Sequence, residues 1–401
     1  INPGSTSTKV GIYEDEKEII SQTLRHSVDE LKPFANIIEQ FEFRAKIIED
    51  FLKSQNIQIS TFSAIVGRGG LLKPIPSGTY LVNEKMLDDL KTCRYGSHAS
   101  NLGALIADKI AKEYRLPAFI VDPVVVDELM DEARIAGHPE FSRISIFHAL
   151  NQKAVARSVA KNMGKKYEDL NLIIAHLGGG VSIGSHRKGK VVEVNNALDG
   201  EGPFSPERSG TCPAQQLAKL SYSGKYTYEQ MKLMITGKGG LTAHLGTNDV
   251  REVVKMIENG DKKAELVLRA MCYQVAKSIL SGFAALNGEA DAIIIGPGSL
   301  YTSIIPNLLV KGVIEAIADS RAPKFYISNI MTEEGETDNF TAADHLRVIQ
   351  KHTRKQIIDY AVVNSGKIDE ERLKRYIEEE AVPVRSSLDE ITKMGINIIE
   401  R

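Results

Sequence analysis

The chain has 401 residues, with 50 lysines and arginines against 52 aspartates and glutamates and a formal net charge of −2. So even a balance leaves no electrostatic footprint for nucleic acid or an anionic membrane, and 42% hydrophobic with 25% charged residues fits a soluble globular protein with a sizeable core. The length predicts two or three domains. Three cysteines, Cys93, Cys212 and Cys272, are odd in number and far apart, which suits a reducing compartment and supplies no metal-ligand pair. No apolar run approaches a membrane span and no signal peptide opens the chain, so the cytoplasm is the expected compartment.

The opening Asn2-Pro3-Gly4-Ser5-Thr6-Ser7-Thr8 reads as a polar turn leading into an apolar-alternating strand, Val10 to Tyr13. Such a turn offers hydroxyl and amide donors to a phosphate, and it is equally an ordinary hairpin turn. A strand is expected to precede Ile1. Ile37, Phe41, Ala45, Ile48 and Leu52 fall at helical spacing and predict a helix over 37–55. Phe62 to Val66 reads as a short strand ending in Gly67-Arg68-Gly69-Gly70, where Arg68 either reaches a ligand or sits in a solvent-facing turn. His98 and Asn101 flank a helix start with Ser97 or Ser100 as cap. Ala118 to Val121 is a buried strand ending at Asp122. A carboxylate there stands where open α/β sheets bind ligands, or it caps the turn. Ser145 to Met163 reads as a helix that stops before Gly164 and carries His148 near its start.

Leu172 to Asn196 reads as strand, glycine loop, strand, tight turn, strand. His176 ends the first strand, and Gly178-Gly179-Gly180 form the loop. Without a Cβ these glycines let backbone approach a ligand closely, and their amides can converge on an anion. A Gly-rich hairpin with no ligand has the same composition. A dinucleotide fingerprint is disfavoured, because a strand follows where that motif needs a helix. Between Asn196 and Pro213 runs a Gly/Pro-rich loop that carries Arg208, and structureless loops of this length are usually functional or disordered. Asn248-Asp249 caps a helix that starts near Val250 and includes Arg251. Ala264 to Leu286 is a long apolar helix. Ala292 to Ile295 is a buried strand running into Gly296-Pro297-Gly298-Ser299 and a helix start, a place where amides bind phosphate. A strand over 325–328, a helix over 342–350, a strand over 360–363 and a helix over 369–379 complete a β/α rhythm.

The segments INPGSTSTK, GRGGLLKPIPSG, VDPVVVDE, SIFHALNQK, AHLGGGVSI, NNALDGEGPFSPERSGT and LGTNDVRE together resemble the butyrate kinase family, in the acetate-kinase group of the actin-like/sugar-kinase superfamily. The resemblance runs from Ile1 to about Gly288. From about Glu289, ADAIIIGPGSLYTSIIPNLLVKGV, NIMTEEGETDNFTAADH, DYAVVNS and EEEAVPV resemble the C-terminal part of the gluconeogenesis-factor family, related to 2-phospho-L-lactate transferase. The chain therefore reads as a chimera, natural or artificial.

These resemblances imply an α/β protein with the two-domain actin-like (ribonuclease H-like) fold. It would comprise an N-terminal domain over 1–150, a second domain with the phosphate hairpin over 151–288 and a Rossmann-like α/β segment over 289–401. They imply transfer of the γ-phosphoryl of ATP to a short-chain fatty acid, butyrate or branched-chain, with Mg²⁺ and in a homo-oligomer. By motif, Asn2 and Ser5 would lie on the phosphoryl path, and Arg68 and Arg208 would clamp the carboxylate and the transferring group. Asp122 would orient the metal or its water, and His148 and His176 would face the equatorial oxygens. Gly178, Gly179 and Gly180 would cradle the ATP phosphates, with Asp249 and Arg251 near the nucleoside. The alternative is a sugar-nucleotide-binding protein using Gly296 to Ser299, Gly298 included, and Thr332 to Thr337, or an inactive chimera.

Overall fold

A computed structural model describes residues 1–4, 6–15, 17–296, 300–309, 313–333, 335–366 and 381–400. The chain divides into two compact units, residues 1–128 with 144–153, and residues 129–143 with 154–401.

In the first unit β1 (Asn2–Pro3), β2 (Ser7–Glu14) and β3 (Lys17–Arg25) form an antiparallel sheet in that order. The alternation expected over 10–13 extends to both ends, because β3 gives β2 a partner from Ser7 to Glu14, with a bulge at Ile12/Tyr13. A second sheet holds β4 (Ile65–Arg68), β6 (Ala118–Val121) and β5 (Thr79–Leu81) in the order β4-β6-β5, with β4 and β6 parallel. The expected helix over 37–55 is a short 3-10 turn, Ile38–Gln40, followed by the helix Phe41–Ser54, which buries Ala45, Ile48 and Leu52. The strand expected over 62–66 forms later, at 65–68, because Ile59–Thr61 is a 3-10 turn and the ladder to β6 opens at Ile65↔Ala118. The helix Asn101–Tyr114 starts after Ser100, whose side chain makes no cap bond and instead meets His98 Nδ1 at 2.8 Å.

The helix expected over 145–163 spans Ala149–Asn162. Residues 145–147 are irregular instead: the Ser145 hydroxyl donates to Val126 O at 2.7 Å, and Phe147 N donates to Val124 O at 3.2 Å.

The second unit is built on one seven-stranded sheet, ordered β13-β12-β11-β10-β7-β8-β9. Its strands are β7 (Asn171–Leu177), β8 (Val181–Arg187), β9 (Lys190–Val194), β10 (Ala292–Ile295), β11 (Lys324–Ile327), β12 (Tyr360–Val363) and β13 (Asn397–Glu400). The hairpin strands β7 to β9 pair antiparallel, and β7 and β10 to β13 pair parallel. The helix Lys262–Ala285 lies on β7 and β8, packing Val275 and Phe283 against Ile173, Val181 and Ile183. The helix expected over 342–350 spans Ala342–Thr353, opened by a capping box of Thr341 and Asp344. The helix expected over 369–379 lies outside the described residues.

Candidate active site

In the first unit, glycines set how closely the site elements approach. A Cβ on Gly67 or Gly103 would overlap the other segment's backbone, so the Asn101–Tyr114 helix lies backbone to backbone on β4. A Cβ on Gly70 would come within 2.6 Å of the Asn101 Cα, and one on Gly69 would overlap Pro123. Asn101 fixes this loop by accepting from Leu71 N at 2.9 Å and donating to Gly96 O at 2.9 Å. The Gly67-Arg68-Gly69-Gly70 run is thus a packing requirement that leaves Arg68 at the end of β4.

Arg68 Nη1 donates to Asn2 Oδ1 at 3.2 Å, and Arg68 N donates to Ile1 O at 2.8 Å. Burial holds the guanidinium below the ordinary arginine range. Beside it, one step past the Arg68↔Val121 pair, Asp122 directly follows β6. Asp122 is buried at φ +39°, a left-handed conformation that a non-glycine residue rarely adopts. Its Oδ1 accepts from the Ser77 hydroxyl at 2.6 Å and from Gly78 N at 2.9 Å. His148 is half-buried where the 145–148 segment enters its helix, after Phe147 has paired with Val124. Asn2, Arg68 and Asp122 therefore lie together at the C-terminal ends of β4 and β6, with the 145–148 segment tied to the chain that follows Asp122, and ligands in open α/β sheets bind beyond such ends.

In the second unit, His176 is the penultimate residue of β7, opposite Ser182, and residues 178–180 turn the chain into β8. The His176 Nε2 lies 3.3 Å from where a Cβ on Gly178 would stand. The Ser205 hydroxyl donates to Gly179 O at 2.6 Å. Arg208 lies across Gly180 so closely that any Cβ there would collide with its guanidinium. Arg208 Nη1 donates to Ala197 O, and burial pushes the group below its ordinary value against the opposing pull of Glu207 and Asp199. The 205–209 loop is held from behind by Gly239 and Gly240, whose Cβ atoms would overlap Ser209 N and Ser205 O. His176, Gly178 to Gly180 and Arg208 are thus one cluster at the hairpin end.

Asp249 caps the helix Val250–Glu258 by accepting from Arg251 N at 2.8 Å, and it also takes Arg251 Nη2 at 2.7 Å. The two form a local pair that holds the carboxyl low. Gly296 ends β10 at φ +83°. Ser5 and Gly298 lie outside the described residues.

Several residues of these clusters escaped the sequence reading. Lys153 and Glu128 form a buried ion pair at 2.7 Å, and Glu128 also accepts from Ser77 N at 3.3 Å, so the pair supports the turn that binds Asp122. Only the i+5 spacing of Lys153 from His148 hints at it. Glu207 faces Gly179 and accepts from Asn248 Nδ2 at 2.6 Å. Arg44, on the buried stripe of its helix, is fully enclosed beneath the first turn.

Mg²⁺ is commonly held by one or two carboxylates together with substrate phosphates and water. Among the described residues no three His, Cys, Asp or Glu side chains gather as an all-protein cage would need. Asp122, a carboxylate oxygen donor fixed through Oδ1, fits the sparse kind of site.

Two α/β units, one of them carrying a glycine-turn hairpin with an arginine laid on it, make up the chain. The Acetokinase family model matches residues 142–301, and the model of 2-phospho-L-lactate transferase CofD matches residues 226–401. Butyrate kinase 1 of Clostridium acetobutylicum is 57% identical over 309 residues, 77% of this chain and 87% of that protein. A probable butyrate kinase of Clostridium botulinum (strain Alaska E43) is 54% identical over 319 residues, 79% of this chain and 89% of that protein. The chain belongs to the butyrate kinase family, whose members are ATP-dependent carboxylate kinases. In fold it is similar to a Francisella tularensis propionate kinase (TM-score 0.60, 21% identity, covering 79% of this chain and 87% of that one). It is likewise similar to a Porphyromonas gingivalis acetate kinase (TM-score 0.59, 18% identity, covering 73% and 81%). Among the described residues no helix is long and apolar enough to cross a membrane.

Proposed function

We propose that this chain transfers the γ-phosphoryl group of ATP to a short-chain fatty acid of the butyrate class, giving an acyl phosphate and ADP, as a homo-oligomer in the cytoplasm. A carboxylate oxygen, already ionised at neutral pH, forms the new bond to phosphorus. The bond to the β–γ bridging oxygen breaks, and its electron pair leaves on ADP. Phosphoryl transfer of this kind needs positioning and positive charge around the phosphoryl oxygens more than covalent help.

The observation that carries the reading is the joining of Asn2 to Arg68 beside the strained Asp122 at the ends of β4 and β6. In this reading Arg68 and Arg208 hold the acyl carboxylate and the phosphoryl group, and Asn2 and Ser5 line its path. His148 and His176 donate to its equatorial oxygens. Gly178, Gly179 and Gly180 present backbone to the ATP phosphates, and Asp249 with Arg251 lies toward the nucleoside. Asp122 would hold Mg²⁺ or its water, and the ion would supply neutralisation of phosphate charge.

Hydroxylamine trapping tests this: butyrate with ATP and Mg²⁺ yields hydroxamate in proportion to enzyme. No hydroxamate from butyrate, isobutyrate or valerate would overturn the reading. A second reading is favoured by the transferase-like match over 226–401, which includes Gly296 and Thr332 to Thr337. It assigns these residues to a sugar-nucleotide diphosphate, and calorimetric titration with uridine-diphosphate sugars against ATP separates the two.

A further inference from the structure

Arg44 is wholly buried, and its guanidinium bridges the turn between β1 and β2 to Gln40 of its own helix segment. Nη1 donates to Gly4 O at 2.7 Å, to Ser7 O at 3.0 Å and to Thr8 Oγ1 at 3.1 Å. Nε and Nη2 grip Gln40 Oε1 at 3.0 and 2.8 Å, one helical turn back, so the group is anchored at one end and bound to the turn at the other. His26 closes the same nest: its Nε2 meets Thr8 Oγ1 at 2.9 Å, and its backbone N donates to Thr6 O at 2.9 Å. Burial and the charge of Arg44 lower the His26 pKa.

Enclosing a guanidinium costs far more than enclosing an apolar side chain of the same volume, so its retention on a helix stripe with Ile48 and Leu52 asks for a reason. The geometry supplies one. The carbonyls of Gly4 and Ser7 are occupied by Arg44 and that of Thr6 by His26 N. The same turn sets the register Asn2↔Lys9 and Pro3↔Thr8, and that register places Asn2 against Arg68. A guanidinium fork can serve several acceptors at fixed angles, which an ammonium cannot do.

We infer that Arg44 is a positioning residue for phosphoryl transfer: it fixes the Gly4–Thr8 turn and, through the β1–β2 register, sets the Asn2–Arg68 pair. This rests on the carboxylate-kinase reading above. The test compares Arg44→Met and Arg44→Lys with the unaltered chain, by circular dichroism for folding and by hydroxamate kinetics resolved into kcat and KM. A small misplacement of a reacting group costs on the order of 100-fold. Arg44→Met is therefore expected to lose about 100-fold in kcat with the KM for butyrate within about threefold, and Arg44→Lys to recover only part of the loss. A folded Arg44→Met with unaltered kcat overturns the inference. So does a loss that merely tracks the folded fraction. If Arg44→Met does not fold, Gln40→Met decides, because it removes the anchor and leaves the turn's own bonds. A folded Gln40→Met with unaltered kcat overturns the inference, and a drop in kcat at constant KM supports it. An unaltered chain that makes no acyl phosphate defeats the kinase reading itself, whereas an active one indifferent to Arg44→Met defeats only the inference.

Discussion

The junction of β4 with the Asn101–Tyr114 helix and the junction of β7 with β10 are both places where distant stretches of chain meet. They are packed to opposite standards. At the first, Gly67 and Gly103 bring two backbones together with no room for a Cβ, and Leu90, Leu102, Ile106 and Ile120 are enclosed around them. At the second, β7 and β10 pair in register through Ala292↔Leu172 and Ile293↔Ile173, yet an apolar cavity of about 110 Å³ remains on the sheet. It is lined by Ile173, Leu177 and Ile295 of the sheet and by Ala276, Phe283, Ile304 and Leu308. At this second junction β10 lies in the overlap of the acetokinase and transferase matches, residues 226–301, while β7 lies in the acetokinase match alone. The contrast separates two kinds of information. Ladder hydrogen bonds use groups every residue carries, so any strand of suitable length can add to a sheet. Close packing depends on the shapes of particular side chains, and cores that conserve only volume and pattern lose uniqueness first.

The largest effect is expected where the packing is tight and charged. Lys153→Met strips the buried partner from Glu128, whose side chain is 9% exposed. Removing one member of such a pair costs about 3–5 kcal/mol. Denaturant unfolding should show that loss, and Glu128→Leu added to Lys153→Met should recover most of it. A cost under about 1 kcal/mol would mean the first unit is looser than its glycines imply.

Next comes the hairpin end of the second unit, which is packed like the first unit and unlike the seam, since Arg208 lies directly on Gly180. Arg208→Ala should lower hydroxamate formation by about 10²–10³ in kcat, the usual worth of one preorganised donor. The fold should stay intact by circular dichroism. An unchanged rate would take Arg208 out of the mechanism.

The strands and their order of types were legible because burial imposes short apolar runs: 118–121, 292–295 and 360–363 form where those runs lie. The meeting of Asn2, Arg68 and Asp122 could not be read from spacing, because it depends on β4 and β6 becoming parallel neighbours. The helix expected from Ser145 starts four residues late, since tertiary bonds from 145–147 to 124–126 override local propensity. The strand Asn397–Glu400 and the helix Leu388–Lys393 went unread, being too short for a periodic signal. Arg44 was hidden by its type: an arginine beside apolar residues reads as a helix edge, and only the turn above it explains its burial.

A matched pair of truncations sharpens the comparison further. Leu102 is fully enclosed in the first unit, and Leu308 borders the cavity. Buried Leu→Ala changes span about 2–5 kcal/mol according to how many neighbours are lost and how much void remains. Leu102→Ala should fall near about 4 kcal/mol. Leu308→Ala should fall near about 2, because one side of Leu308 already lacks partner atoms. Equal costs by denaturant unfolding would show that the seam is as well filled as the β4 junction.

The smallest effect is the most diagnostic, because its sign differs between the two regions. Ala276 lines the cavity from the Lys262–Ala285 helix, and Ala107 sits fully buried in the Asn101–Tyr114 helix. Ala→Val adds two carbon groups at each. Filling empty apolar space gains about 0.8 kcal/mol per group, while a β-branched residue in a helix gives back up to about 0.6. Ala276→Val should therefore stabilise the second unit by about 0.5–1 kcal/mol. At Ala107 there is no space, and overpacking costs about 1–3 kcal/mol. The midpoint of denaturant unfolding should rise for Ala276→Val and fall for Ala107→Val, with unchanged slopes marking both as changes in stability and not in compactness. Destabilisation at both positions would mean that the helix closes over β7 and β10 in solution, and the contrast between the two junctions would then fail.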